Sequence, residues 1–123
     1  MAYEALNPLT EKVIGAAIEV HKTLGPGFVE KSYAKALEQE LREQRVPHST
    51  EESIRLTYKG KALGLHRLDL IVGNAVVVEL KAVYKINNFH IAQMLSYLKS
   101  SEKKLGLIVN FGRSRVEVKR VAL

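Results

Sequence analysis

No cysteine occurs among the 123 residues of this chain, so neither a disulfide framework nor a zinc–thiolate centre is available to it. No apolar run reaches the roughly 18 residues that a membrane span needs, and no repeat, linker or low-complexity segment stands out. The first residues, MAYEALNPLTEK, are short and polar rather than a signal peptide. These absences predict a soluble, cytoplasmic chain with no membrane partner. A length of 123 residues allows one domain with a real core and leaves no room for a second, so residues 1–123 are expected to form a single domain. Acidic side chains are the minority charge: 13 Asp and Glu face 19 Lys and Arg, a formal net charge of +6. That sign favours a polyanionic partner, nucleic acid first.

What the chain does contain is a pair of apolar, β-branched runs from Leu65 to Val83, LHRLDLIVGNAVVVELKAV, interrupted by Asp69, Glu79 and Lys81. Charges are rare in core strands unless they are paired or hold a metal. Glu79 and Lys81 lie two apart and share a strand face. A strict two-residue loop at Gly73-Asn74 would pair Asp69 with Val78 and turn it away. A three-residue loop Gly73-Asn74-Ala75, or one bulge, sets Asp69 opposite Glu79 with their Cβ atoms about 5 Å apart, and that is the register expected here. Two carboxylates so close repel, and one must take a proton unless a cation sits between them. Mg²⁺ (or Mn²⁺) suits such oxygen ligands. It would activate a water and clamp a phosphate oxygen, while Lys81 orients or deprotonates the nucleophile or offsets charge on phosphorus. The competing explanation is a buried structural ion pair between Lys81 and a carboxylate.

In chain order, Asn7-Pro8 predicts a helix start. Leu9, Val13, Ile14, Ala17, Ile18, His21 and Leu24 then mark one apolar side, and Gly25-Pro26-Gly27 the stop. His21 reads as a core or interface histidine. A second helix is expected from about Phe28 to Gln44 on the stripe Val29, Tyr33, Leu37 and Leu41. Glu30 falls within that stripe, either satisfied by the helix dipole or pointing to the same cation as Asp69 and Glu79. From Ser53 the period becomes two, giving a strand to Tyr58, a turn at Gly60, and strands over Ala62–Val72 and around Glu79-Leu80-Lys81. Asn88 is the expected cap of a third helix, Phe89 to Ser101, with the stripe Ile91, Met94, Leu95 and Leu98. His90, Gln93 and Tyr97 form a polar line beside it. Two last strands follow, Leu105–Phe111 and Arg115–Val121. The order ααβββαββ predicts an α/β (α+β) fold with a central mixed β-sheet flanked by helices.

Asp69 followed by Glu79-Leu80-Lys81 resembles the PD-(D/E)xK signature of the restriction-endonuclease-like nuclease superfamily, although Leu68 stands where that signature has proline. Gly27 to Tyr33 is similar to the G-x-x-E-x-x-Y motif of the bacterial GxxExxY proteins, a branch of that superfamily. Gln93 to Tyr97 resembles the Q-x-x-x-Y element of RecB-type nucleases. The resemblance spans about Leu9 to Val121. It implies a restriction-endonuclease-like core and a metal-dependent nuclease, with DNA favoured over RNA. It makes Asp69, Glu79 and Glu30 the metal acids and Lys81 the catalytic lysine. Gln93 and Tyr97, with Tyr33, His90 and Arg67, become the candidate substrate contacts, and Lys59, Lys61, Lys85, Lys99 and Arg113 further phosphate contacts. A nuclease-fold module that binds nucleic acid without cutting it, and a structural or protein-interaction domain, are the alternatives. Homodimer formation is left open.

Overall fold

A proline near the start and a glycine just past the end frame the first helix. In the computed structural model, which describes residues 4–123, a 3₁₀ turn Glu4–Leu6 leads into α1, Asn7–Leu24. Met1 to Tyr3, part of the stretch read for a signal peptide, lie outside the described residues. Pro8 sits in the first turn, where its missing N–H costs nothing. Asn7 is not the cap: Leu6 occupies that position without a side-chain bond, because the preceding turn already delivers the chain in helical geometry. The buried face is Val13, Ala16, Ala17, Val20 and His21. The two alanines let the helix lie close on its neighbours, and Ile18, expected on the stripe, is turned outward and 46% exposed. α1 stops at Gly25, whose φ of 73° an L side chain rarely adopts.

α2 spans Glu30–Glu43 and buries the expected Tyr33, Leu37 and Leu41. It starts two residues later than expected, since Val29 is extended and exposed. The sheet follows: β1 His48–Tyr58, β2 Lys61–Val72, β3 Val76–Lys81, then α3 Asn88–Ser101, β4 Leu105–Asn110 and β5 Glu117–Ala122. Its order is β1-β2-β3-β4-β5. Among the described residues only β3 and β4 pair in parallel, as a crossover through α3 requires. α1 and α2 pack on one face through Val13, Val20, Leu37, Leu70, Val78 and Leu107. α3 packs on the other through Met94 and Leu98 against Leu68, Ile71, Val77 and Ile108. β4 is buried along its whole length, as a central strand covered on both faces should be. This is the mixed-sheet α+β architecture that the element order implies. No helix among the described residues is long and apolar enough to cross a membrane.

Three local devices position what matters for function. The β2–β3 connection is the three-residue loop: Val72 pairs with Val76 and Leu70 with Val78, while Gly73 and Asn74 take φ of 59° and 54°. α3 is capped by Asn87, not Asn88. Asn87 Oδ1 accepts the His90 N–H at 3.1 Å, and the Asn87 N–H is donated to His90 Nδ1 at 3.1 Å, a reciprocal box that starts the helix one residue early. Finally, fully buried Asn110 ties the chain leaving β3 to the end of β4. Its Oδ1 accepts from Val83 N (2.9 Å) and Gly112 N (3.0 Å), and its Nδ2 donates to Val83 O (2.9 Å) and Glu117 Oε1 (3.0 Å). Gly112 is required beside it, because a Cβ there would come within 2.3 Å of Val83 O.

Asn110→Ala strands several part-buried partners at once. It is expected to cost about 3 kcal/mol in urea unfolding followed by circular dichroism. A loss below about 1 kcal/mol would mean that water replaces the side chain and the knot is not structural.

Candidate active site

The centre of the candidate site is a gap in the sheet. The β2–β3 ladder stops at Leu70 and Val78, one pair short of Asp69 and Glu79. On the other side the β1–β2 ladder passes from Thr50–Leu70 to Glu52–Leu68. It skips Glu51, whose φ is +50°. Strict alternation would place Leu68 and Leu70 on one face, yet Leu68 packs in the α3-side core and Leu70 in the α1–α2 core. The chain therefore turns over at Asp69. Side chains take the place of the missing ladder bonds: the Asp69 N–H donates to Glu79 Oε1 at 3.0 Å, and the Leu80 N–H to Asp69 Oδ2 at 2.9 Å. The expected juxtaposition of Asp69 and Glu79 is present.

Charge is poorly accommodated there. Glu79 is 5% exposed, and its carboxyl is pushed up to about 8, by burial first and by the charge of Asp69 second. With no cation present, the pair holds one proton at neutral pH. Lys81, on the same strand face as Glu79, donates from Nζ to Gln93 Oε1 of α3 at 3.0 Å. Among the described residues no ion pair within 4.0 Å joins Lys81 to a carboxylate, so the buried ion pair offered as the competing explanation is not the arrangement found. Tyr97 stands one helical turn beyond Gln93. Burial and then the charges of Glu79 and Asp69 raise its hydroxyl pKa, and its ring meets His66 edge-on at 4.7 Å.

Glu30 departs from expectation. It is the first residue of α2 and exposed, not part of the buried stripe. A wheel drawn through a helix interior does not describe a first turn that overhangs the sheet. Its Oε2 accepts the Ala82 N–H at 3.3 Å. With Lys31, Lys35, Glu51 and Asp69 it lines an open cleft of about 660 Å³ on the α2 side, which neither Glu79 nor Lys81 lines. Among the described residues no group of three or more His, Cys, Asp or Glu is close enough to hold an ion. The site therefore has two parts, Glu79, Lys81, Gln93 and Tyr97 toward α3 and Glu30 toward α2, with Asp69 at the gap between them. Two adjacent carboxylates fit a hard divalent cation that keeps several waters, and their proton is what such an ion would displace.

Two further candidates have structural duties. Tyr33 cannot touch a substrate: it is fully buried, stacks on Phe111 at 4.4 Å, donates from its hydroxyl to Gly25 O (2.6 Å) and accepts from Phe28 N (3.2 Å). It latches the α1–α2 loop, in which Gly27 takes φ of 109°. That latch gives the G-x-x-E-x-x-Y pattern a physical sense, since glycine and tyrosine shape the loop that presents Glu30. His90 is committed to capping α3. Arg67 is exposed two residues before Asp69. His21 is the core histidine expected: Nε2 lies 3.1 and 2.8 Å from the carbonyls of Phe111 and Arg113. Sequence reading missed Asn110 and Glu117, which fix the chain just after Lys81. Burial alone would raise the Glu117 carboxyl, but hydrogen bonds from Asn110 and the Ile86 N–H, with Arg113 and Lys85 nearby, hold it below its ordinary value. The available signal was an asparagine closing the apolar run Leu105–Val109.

Comparison with known proteins identifies the family and the fold. A family model described as PD-(D/E)XK nuclease superfamily matches residues 7–121. Among curated proteins none matches. Of solved structures, the crystal structure of SSO0001 superposes with a TM-score of 0.60 at 20% identity, covering 75% of this chain and 48% of that one. An alkaline exonuclease from Laribacter hongkongensis superposes with a TM-score of 0.54 at 16% identity, covering 75% and 54%. The chain spans about half the length of these structures, and at such identities the likeness is one of fold.

The Glu79 shift makes stability depend on pH. Below pH 4.5 the residue is protonated in folded and unfolded chains alike; between 4.5 and about 8 only the unfolded chain gives up its proton, so stability falls as pH rises across that window. The loss is on the order of a few kcal/mol by its upper end. Glu79→Gln is expected to remove this component and to exceed the wild type in urea midpoint at pH 8.5 in EDTA. Parallel pH profiles for the two proteins would show that Glu79 ionises normally.

Proposed function

Because the chain belongs to the PD-(D/E)XK nuclease superfamily, we propose that it is a metal-dependent nuclease that hydrolyses phosphodiester bonds, in DNA ahead of RNA. One observation carries the reading: Asp69 and Glu79 bridge an interrupted ladder with their carboxylates, and among the described residues no cationic side chain lies within 4.0 Å of either. Asp69 and Glu79 would hold Mg²⁺ or Mn²⁺, with Glu30 reaching the same centre through water from the cleft. A cation held there supplies an activated water and polarises the phosphoryl oxygens.

The chain's own groups do the rest. Lys81, held by Gln93, places a positive charge where negative charge grows on phosphorus as water adds and the leaving oxygen departs. Gln93 fixes the direction of the ammonium group and satisfies one of its three donors. The Tyr97 hydroxyl, protonated at neutral pH as in any tyrosine, would donate to a phosphate oxygen. Arg67 and the exposed lysines of the cleft wall, Lys31 and Lys35, attract the polyanion. The fold likeness to an alkaline exonuclease supports the reading. The Gly27–Glu30–Tyr33 loop supports placement in the GxxExxY branch. Residues 1–123 acting as one domain, in the cytoplasm, complete the proposal.

The test is cleavage of labelled DNA and RNA in Mg²⁺ or Mn²⁺. Asp69→Ala and Lys81→Ala are expected to lower the rate at least about 100-fold with unchanged circular dichroism. Mg²⁺ should also raise the melting temperature of the wild type and not of Asp69→Ala. Activity that persists in Asp69→Ala would end the proposal, and binding without cleavage in either metal would make the protein a non-cutting module.

A further inference from the structure

The last turn of α1 carries a histidine with one nitrogen to spare. His21 is only 7% exposed, and its ring lies nearly parallel to that of Phe111 at 6.1 Å. Nε2 is within hydrogen-bond reach of two backbone carbonyls, Phe111 O and Arg113 O. Both can only accept, so Nε2 carries a hydrogen and, in the neutral ring, Nδ1 carries the lone pair. Nδ1 has no partner among the described residues. None of their buried side-chain nitrogens or oxygens goes unpartnered, so Nδ1 reaches solvent. His21 opens onto a small pocket of about 280 Å³, lined also by Lys22 and Ile18 of α1 and by Ser114, Arg115 and Val116 of the β4–β5 loop. No carboxylate lines it, and among the described residues no acid lies within 4.0 Å of the Lys22 or Arg115 side-chain nitrogens. The loop's other cation, Arg113, is engaged elsewhere: it donates to Tyr84 O at 3.3 Å and lies over the Tyr84 ring. Glu19, a turn back on α1, is exposed and accepts from Thr23.

We propose that this pocket binds a phosphomonoester, the terminal phosphate of a strand or of a nucleotide, in preference to an internal phosphodiester. The proposal goes beyond the nuclease reading and holds whether or not the chain cuts. Lys22, Arg115 and the Ser114 hydroxyl suit the charge and the oxygens of either group, and Nδ1 separates them. Against a neutral imidazole a phosphodiester sets oxygen lone pairs on a nitrogen lone pair, because it has no hydrogen to give. A phosphomonoester exchanges its last proton near pH 6, and that one hydrogen, on the phosphate oxygen or on Nδ1, makes the contact a hydrogen bond. With the hydrogen on Nδ1, the monoester brings two negative charges to three cations and the diester only one. The two carbonyls hold the ring through Nε2 in both states, so the loop that presents Ser114 and Arg115 keeps its shape. A carboxylate, fully ionised at neutral pH, shares the diester's disadvantage. Size agrees as well: about 280 Å³ falls short of the roughly 300–1,000 Å³ of sites for larger organic ligands. It accepts a phosphate, with the carbon that bears it against Ile18 and Val116.

The experiment is calorimetric titration near pH 7 in EDTA, which removes divalent metal. The ligands are thymidine monophosphate, the phosphodiester dinucleotide of thymidine, and oligo(dT) with and without a terminal phosphate. The monophosphate is expected to bind about tenfold or more tightly than the dinucleotide, the size of one charge-assisted hydrogen bond. Lys22→Ala/Arg115→Ala is expected to abolish that preference with unchanged circular dichroism, since both side chains are exposed. His21→Gln, which keeps an amide donor beside the two carbonyls, is expected to bring the monophosphate and the dinucleotide to the same affinity; should it unfold, the exposed pair still decides. The inference is overturned if the wild type shows no preference for the monophosphate. A preference that survives Lys22→Ala/Arg115→Ala, or a folded His21→Gln, overturns it too. Where the preference depends on these residues, tighter binding of phosphorylated oligo(dT) than of the monophosphate identifies a strand end as the ligand, and equal binding identifies a free nucleotide; either supports the pocket. No cleavage is read, so the nuclease reading and this one can fail separately.

Discussion

Everything near the site depends on two peptide N–H groups that have lost their strand partners and found carboxylates instead. A β-ladder interrupted in a core normally leaves buried donors unsatisfied, at about 1–3 kcal/mol each. Here Glu79 takes the Asp69 N–H and Asp69 takes the Leu80 N–H, so the interruption that opens the sheet also locks the two acids to opposite strands. The arrangement satisfies hydrogen bonding and aggravates electrostatics, because it fixes two like charges side by side where only one is near solvent. A stability-driven sequence would resolve that conflict with a lysine ion pair, yet the nearby Lys81 is bonded to an amide oxygen.

The rest of the framework keeps the gap from closing or widening. On the α3 side, Gln93 and Tyr97 stand over Glu79 and Lys81, and the Asn87–His90 box fixes where α3 begins. Beyond β3, the buried amide of Asn110 clamps Val83 and Gly112, so the segment after Lys81 has little freedom. On the other face, Tyr33, Phe111 and His21 form a continuous stack that joins α1, the α1–α2 loop and the end of β4. Glu30 leaves that loop at the rim of the cleft. The core thus places Glu30 and Asp69 on one cleft and leaves Glu79 behind it, toward α3.

Much of this was legible in the residues, because strand pairing has few registers. Val-rich runs on either side of Gly73-Asn74 admit two loop lengths, and only the three-residue loop brings Asp69 and Glu79 together; that is the register observed. The polar line Gln93, Tyr97 was equally readable from helical spacing. What failed were inferences that treat an element as infinite. Glu30 was assigned to a buried stripe although a first-turn residue has no core beneath it. Ile18 falls on the expected stripe by spacing yet is exposed, while Ala16, outside that stripe, is buried, because close helix packing selects the small side chain. The reversal of facing between Leu68 and Leu70 has no sequence signal, since either side of the sheet accepts leucine. Tyr33 belongs to a motif, and a motif does not say whether its tyrosine faces a ligand or a loop.

The parallel pairing of β3 and β4 has a kinetic meaning. An antiparallel hairpin such as β1–β2 closes a short loop and can form early, whereas β4 reaches β3 only after the chain has crossed the sheet through α3. Glu79 and Lys81 lie at the start of that crossover and Gln93 and Tyr97 within it. The lysine therefore meets Gln93 only in a chain whose crossover is already in place.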